Sequence, residues 1–260
     1  MERLIFDSHA HYDDEKFDAD RDEVIKSLPD KGVFAVVNNG VDLETSLKAI
    51  EYSKKYSYFY AAVGIHPESV PELDIDNADK YVDRIGELLS DKKVVAIGET
   101  GLDYYWDIPK KEQNIFFEKQ LVLAADTKLP IIIHDREAHG DTLDYLKKYQ
   151  PFGLLHCYSG SKEMLKEVFR NGRMSISLGG TVTFKNARVP VEVAKEVPMD
   201  RLLLETDAPY LAPVPWRGKR CDSSLIIHTA EKIAEIRGMS VTDVLKYTKE
   251  NACKFYGIDF

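Results

Sequence analysis

Eight short apolar runs recur along the chain, at residues 4–6, 33–37, 58–63, 94–97, 131–133, 152–155, 174–178 and 202–204. Near-continuous apolar runs of this length suit parallel strands buried on both faces. Longer amphipathic stretches lie between them. Within 113–128, Phe116, Phe117, Leu121 and Ala124 keep the helical period, and 141–149 and 162–171 read similarly. The segment 222–260 is expected to be helical and to close the outer layer. Strand–helix alternation repeated eight times predicts an α/β fold, a (β/α)8 TIM barrel, in a single domain over residues 1–260. No Gly/Ser-rich linker or low-complexity tract divides it. A doubly wound open sheet competes less well, because no Gly-rich phosphate loop follows the first run.

What ends each run is more informative than the runs themselves. The first ends in Asp7-Ser8-His9-Ala10-His11, the third in Gly64-Ile65-His66-Pro67 and the fourth in Gly98-Glu99-Thr100-Gly101. The fifth ends in His134-Asp135-Arg136, the sixth in His156-Cys157-Tyr158 and the eighth in Glu205-Thr206-Asp207. Five of the seven histidines therefore stand at the carboxyl ends of strands; only His139 and His228 lie elsewhere. In a parallel barrel those ends share one face, where catalytic groups gather.

His9 and His11 are two apart, so in extended chain both imidazoles leave the same face and can lean onto one cation. Glu99 ends an apolar strand, and a buried carboxylate needs a cation or a partner. Its two oxygens can bridge two ions. The expected site is His9, His11, Glu99 and Asp207 on one divalent cation, and Glu99, His134 and His156 on a second. Asp207 and Glu99 are the expected catalytic carboxylates, with Asp207 placed to ligate metal or to take a proton from an attacking water. Mixed imidazole and carboxylate donors suit zinc, manganese or iron better than magnesium or calcium alone. The expectation is two divalent cations per subunit, with Zn, Mn, Mg, Fe and Ni all kept open.

His66 exceeds this ligand set and is assigned to substrate, as a donor toward a phosphate oxygen. Arg136, Lys185, Arg217, Lys219 and Arg220 fall in segments after the fifth, seventh and eighth runs, where a local basic rim can hold an anion. Arg136, two residues beyond His134, is the best placed. Trp216, Tyr104 and Tyr158 can stack on a base or sugar, although packing beneath loops is the commoner role for such rings. Cys157 and Ser159 invite a nucleophile reading, but no GxSxG elbow is present.

Charge narrows the partners. The chain carries 35 Lys+Arg against 44 Asp+Glu, a net charge of −9. That argues against coating nucleic acid by bulk charge, while leaving room for phosphate met locally at metal ions. The three cysteines, Cys157, Cys221 and Cys253, suggest neither a disulfide framework nor a Cys-based zinc site. With no apparent signal peptide and no long apolar span, a cytoplasmic protein is expected, with no membrane and no obligate protein partner.

Taken together, several segments resemble the TatD family of metal-dependent deoxyribonucleases, within the amidohydrolase-like barrels. They include Asp7-Ser8-His9-Ala10-His11, Gly64-Ile65-His66-Pro67, Gly98-Glu99-Thr100-Gly101-Leu102-Asp103-Tyr104, Ile133-His134, His156-Cys157-Tyr158-Ser159-Gly160, Thr183-Phe184-Lys185-Asn186-Ala187 and Glu205-Thr206-Asp207-Ala208-Pro209. The resemblance covers the whole chain. It implies that His9, His11, Glu99, His134, His156 and Asp207 are metal ligands, and that the protein is a phosphodiesterase acting on DNA, often as a 3′ exonuclease. One departure stands out: after Arg217-Gly218-Lys219-Arg220 the family commonly has Asn and, two residues on, Pro, where this chain has Cys221-Asp222-Ser223. An amide, lactone or ester hydrolase on the same barrel is the main rival. Related two-metal enzymes often place a carboxylated Lys at the end of the fourth strand, where this chain has Glu99. A metal-stabilised binding protein with an idle site is the second rival.

Overall fold

The computed structural model describes residues 2–170 and 172–259. Its strands are β1 (Ile5–Ala10), β2 (Val33–Asn39), β3 (Phe59–Val63), β4 (Val94–Asp103), β5 (Ile131–Arg136), β6 (Gly153–Leu155), β7 (Met174–Leu178) and β8 (Leu202–Leu204). They form one eight-stranded sheet in sequence order, β1 to β8. The Ala10–Ala208 bridge runs parallel and links β1 to the segment just after β8. The fold is the expected (β/α)8 barrel.

The helices are α1 (Arg21–Ser27), α2 (Leu43–Lys55), α3 (Ala78–Leu88), α4 (Lys110–Thr127), α5 (His139–Tyr149), α6 (Leu165–Val168), α7 (Arg188–Glu196), α8 (Ile226–Arg237) and α9 (Val241–Tyr256). None among the described residues is long and apolar enough to cross a membrane.

All eight apolar runs are strands, but four strands outlast their runs. β1 continues through His9, β2 through Asn38 to Asn39, β4 through Glu99 to Asp103, and β5 through His134 to Arg136. The apolar pattern stops where polar side chains begin, while the backbone ladder carries on. Helical expectations shift more. α4 begins three residues earlier than periodicity suggests, because the exposed first turn adds nothing to the apolar stripe. The expected helix at 162–171 shrinks to Leu165–Val168, and its last residue, Asn171, lies outside the described residues. The expected 222–260 helix is two helices, and its final residue, Phe260, is also outside the described set. The break has a local cause. Gly238 closes α8 at φ 64°, and the Ser240 hydroxyl caps α9 by accepting from Asp243 N–H at 3.1 Å.

By internal contacts the chain forms two compact units, one of residues 1–38, 157–165 and 176–260, the other of 39–156 and 166–175. In the first, α9 packs on β1 and β8. Phe6 stacks on Tyr256 at 5.8 Å between ring centres, and the Tyr256 hydroxyl donates to Ser8 O at 2.8 Å. In the second, Ala49 and Ile50 of α2, Ala61 and Val63 of β3, Val82 and Ile85 of α3, Val94 and Phe116 share one apolar core.

One glycine decides how closely β4 and β5 approach. Gly101 pairs with His134 across the ladder and sits at φ 140°. A Cβ there would lie 2.0 Å from His134 O. Gly101→Ala should therefore cost about 3 kcal/mol or more, combining backbone strain with a backbone clash. Chemical denaturation measures it; a loss below about 1 kcal/mol would show that β5 can retreat freely.

Candidate metal centre

In the second unit, four strand ends deliver one polar cluster. Glu99 Oε1 lies 2.9 Å from His134 Nδ1, 2.7 Å from His156 Nε2 and 3.3 Å from His66 Nε2. His134 Nδ1 and His156 Nε2 are 3.2 Å apart. Glu99 is 3% exposed, so three imidazoles crowd a desolvated carboxylate. Ligand atoms of His66, Glu99 and His134 all lie within 4.8 Å of one another, close enough to share an ion.

The two ring nitrogens of His134 have different partners. Nδ1 faces Glu99, and Nε2 lies 2.9 Å from Asp103 Oδ2. Burial opposes a charge on this ring, but the hydrogen bonds to Asp103 and Glu99 outweigh it and lift its pKa to about 8. Burial likewise pushes the Asp103 carboxyl up, yet the His134 hydrogen bond and charge, with the Tyr105 N–H, hold it below its ordinary value. Asp103 is itself pinned: its N–H donates to Gln113 Oε1 at 2.8 Å, and Gln113 Nε2 returns a bond to Asp103 O at 2.9 Å. A carboxylate behind a ligating histidine fixes ring and tautomer.

His66 is arranged differently. Its Nδ1 accepts from Glu68 N–H at 3.1 Å, so the neutral ring carries its proton on Nε2, facing Glu99. Burial depresses its pKa, only partly offset by Glu99, which favours the neutral form. A neutral Nε2–H is a hydrogen-bond donor.

In the first unit, His9 and His11 Nε2 atoms are 3.0 Å apart, with Asp207 Oδ1 at 3.8 Å and 3.5 Å. Around a cation bonded at about 2.0–2.1 Å, tetrahedral ligand atoms stand roughly 3.3 Å apart. The donor triangle has that size, and its imidazole–carboxylate chemistry suits a divalent transition metal. Backbone bonds lock it: Asp207 N–H donates to His9 O at 3.0 Å, and His11 N–H to Ala208 O at 2.7 Å.

Beneath this triangle lies Asp7, fully buried. Its Oδ1 accepts from Thr206 N–H at 3.0 Å and His9 N–H at 3.3 Å, while Oδ2 accepts from the hydroxyls of Thr206 and Ser223, both at 2.6 Å. Desolvation still prevails over these donors and raises the carboxyl to about 7. Glu205, also buried, accepts a short hydrogen bond from Ser177. The departure at Cys221-Asp222-Ser223 is structural here: Ser223 supports Asp7, and Asp222 caps the following turn by accepting from Ser224 N–H at 2.8 Å.

Arg136 does not join either cluster; its guanidinium lies 3.8 Å over the Tyr105 ring. Arg220 is taken up by a two-pronged ion pair with Asp20 at 2.7 Å, so it serves the fold rather than a substrate. Tyr158 is buried, its hydroxyl donating to Ser161 O at 2.9 Å, and Tyr104 donates to Asp141 at 2.6 Å; both are packing residues. Lys185, Arg217, Lys219 and Trp216 are exposed, and the Trp216 indole donates to His228 at 3.1 Å. The supporting carboxyls Asp103, Asp7 and Glu205 are missing from the site expected from the sequence. A signal for Asp103 existed: residues 99, 101 and 103 share one strand face once β4 is read through its glycines.

The chain matches the family model described as TatD related DNase over residues 6–257. It belongs to the TatD family of metal-dependent hydrolases. Among its relatives, the uncharacterized metal-dependent hydrolase YabD of Bacillus subtilis is 42% identical over 260 residues, covering 98% of this chain and 100% of that protein. The 3'-5' ssDNA/RNA exonuclease TatD of Erwinia amylovora is 30% identical, covering 98% of this chain and 100% of that protein. The crystal structure of YJJV, a TatD homologue from Escherichia coli K12, superposes with a TM-score of 0.92 at 26% identity, covering 100% of both chains.

Metal ligation requires a neutral imidazole, and His134 holds its proton up to about pH 8. Its raised pKa means that this proton must be expelled below that value and is already gone above it. Metal affinity should therefore fall by up to about tenfold per pH unit below about 8 and level off above. Calorimetry in buffers of different ionisation heat should show a proton released per metal near neutrality. Affinity independent of pH would contradict the assignment.

Proposed function

We propose that this hydrolase cleaves phosphodiester bonds of DNA, as a 3′ exonuclease, with two divalent cations. His9, His11, Glu99 and Asp207 would hold one, and Glu99, His134 and His156 the other. The observation that carries this reading is the crowd of imidazole nitrogens, at 2.7, 2.9 and 3.3 Å, on the buried Glu99 carboxylate. The exonuclease name of the Erwinia relative and the family description support the choice of DNA.

When bound, divalent cations supply Lewis acidity to the phosphoryl group and to the attacking water. The chain's own groups do the rest. Asp207, its side chain 20% exposed, orients the water and takes its proton. The water oxygen bonds to phosphorus as the bond to the leaving sugar oxygen breaks, and the proton passes on to that oxygen. The His66 Nε2–H donates to a non-bridging phosphate oxygen as negative charge builds there. Asp103 keeps His134 in one orientation throughout. Arg136 pairs with the neighbouring phosphate.

Labelled single-stranded DNA, a lactone and an amide should be offered side by side to the metal-supplied protein. Turnover of DNA alone is expected; turnover of lactone or amide with DNA untouched would overturn the nuclease reading. His134→Ala should lose at least about a hundredfold in kcat, and Asp103→Asn roughly ten- to a hundredfold in metal affinity or activity. Parent rates in His134→Ala would remove His134 from the site.

A further inference from the structure

Beyond Asp103 the chain turns through Tyr104, Tyr105 and Trp106. Tyr104 is committed to the fold: its hydroxyl accepts from Asn114 Nδ2 at 2.9 Å, and Lys110 Nζ lies 3.9 Å over its ring. Tyr105 and Trp106 are placed otherwise. They are 56% and 49% exposed. Their rings meet edge to face, 4.9 Å between centres at 83°. The Arg136 guanidinium lies 3.8 Å over the Tyr105 ring and 5.6 Å from that of Trp106. Two large rings are thus about half exposed beside a guanidinium, and neither belongs to the buried core.

These rings are tied to the candidate metal centre by one carboxylate. Asp103 Oδ1 accepts from Tyr105 N–H at 3.0 Å, while Oδ2 lies 2.9 Å from His134 Nε2. Arg136 follows His134 by two residues on β5, so their side chains leave the same strand face, roughly 6.5–7 Å apart along it. Asp103 and Arg136 are also direct partners across the β4–β5 ladder. The rings, the cation and a proposed metal ligand therefore share one rigid support.

We propose that Tyr105 and Trp106, backed by Arg136, form a stacking shelf for an unpaired nucleobase of the substrate strand, next to the bond that is cut. This rests on the phosphodiesterase reading above. A flat π-face beside a guanidinium matches a base joined to a phosphate: the ring takes the base and the cation takes the charge. A base inside a duplex has both faces covered by its neighbours, so the shelf selects a frayed or single-stranded end. Stacking is available to every base, so the preference is for unpaired structure rather than for sequence.

The test compares a short single-stranded oligodeoxynucleotide with one of equal length whose terminal residues are abasic, both with manganese-supplied protein. Binding is read by fluorescence anisotropy and turnover separately. The parent should bind the base-bearing strand on the order of tenfold more tightly than the abasic one. The double variant Tyr105→Ala/Trp106→Ala should lose that preference, its KM for the base-bearing strand rising by a similar factor while kcat changes little. Tyr105→Phe, which keeps the ring, should retain it. Equal binding of the two strands by the parent, or an undiminished preference in the double variant, would overturn the shelf. Preferential binding without any cleavage would leave the shelf standing and defeat the phosphodiesterase reading instead.

Discussion

A carboxylate buried without compensation is costly, by several kcal/mol even after relaxation, and Glu99 is buried at the carboxyl end of β4. Much of the second unit is built around that constraint. Three imidazoles come from β5, from the end of β6 and from the turn after β3 to meet its Oε1 atom. β4 remains a strand for ten residues to carry both Glu99 and Asp103. The hydrogen bond and charge of Glu99, with the hydrogen bond to Asp103, in turn lift the His134 pKa to about 8.

The two carboxylates behind the histidines show how the identity of a neighbour sets ionisation. Asp103 and Asp7 are both fully buried, yet they move in opposite directions. Asp103 faces an imidazole that can be charged, and is held low. Asp7 faces only neutral donors, two hydroxyls and two amides, and rises to about 7. Neutral donors favour the ionised form of both carboxyls; at Asp7 they do not outweigh desolvation, whereas at Asp103 the hydrogen bond and charge of His134 tip the balance.

Much of this is legible in the sequence, and the rest is hidden for physical reasons. The eight strands show as apolar runs because parallel strands are buried on both faces, and His9, Glu99 and His134 show as the residues that interrupt them. Asp103 is hidden because Gly98 and Gly101, at φ 148° and 140°, look like the end of β4 when they are its means of passing close to β5. Asp7 is hidden because its partners, Thr206 and Ser223, are about two hundred residues away. The short α6 misleads because amphipathic spacing by itself does not make a helix. The aromatic character of 104–106 is plain, but which ring faces water depends on Asn114, Asp141 and Lys110, which engage Tyr104 alone.

The links from Asp7 to Thr206 and Ser223, and from Tyr256 to Ser8, also impose an order on biosynthesis. A ribosome delivers β1 early, but the groups that satisfy Asp7 and cover Phe6 emerge only about two hundred residues later or more. Until then the His9–His11 pair has neither Asp207 beside it nor a floor beneath it. The three-donor arrangement of His9, His11 and Asp207 is therefore assembled only after residues made far later in translation have docked.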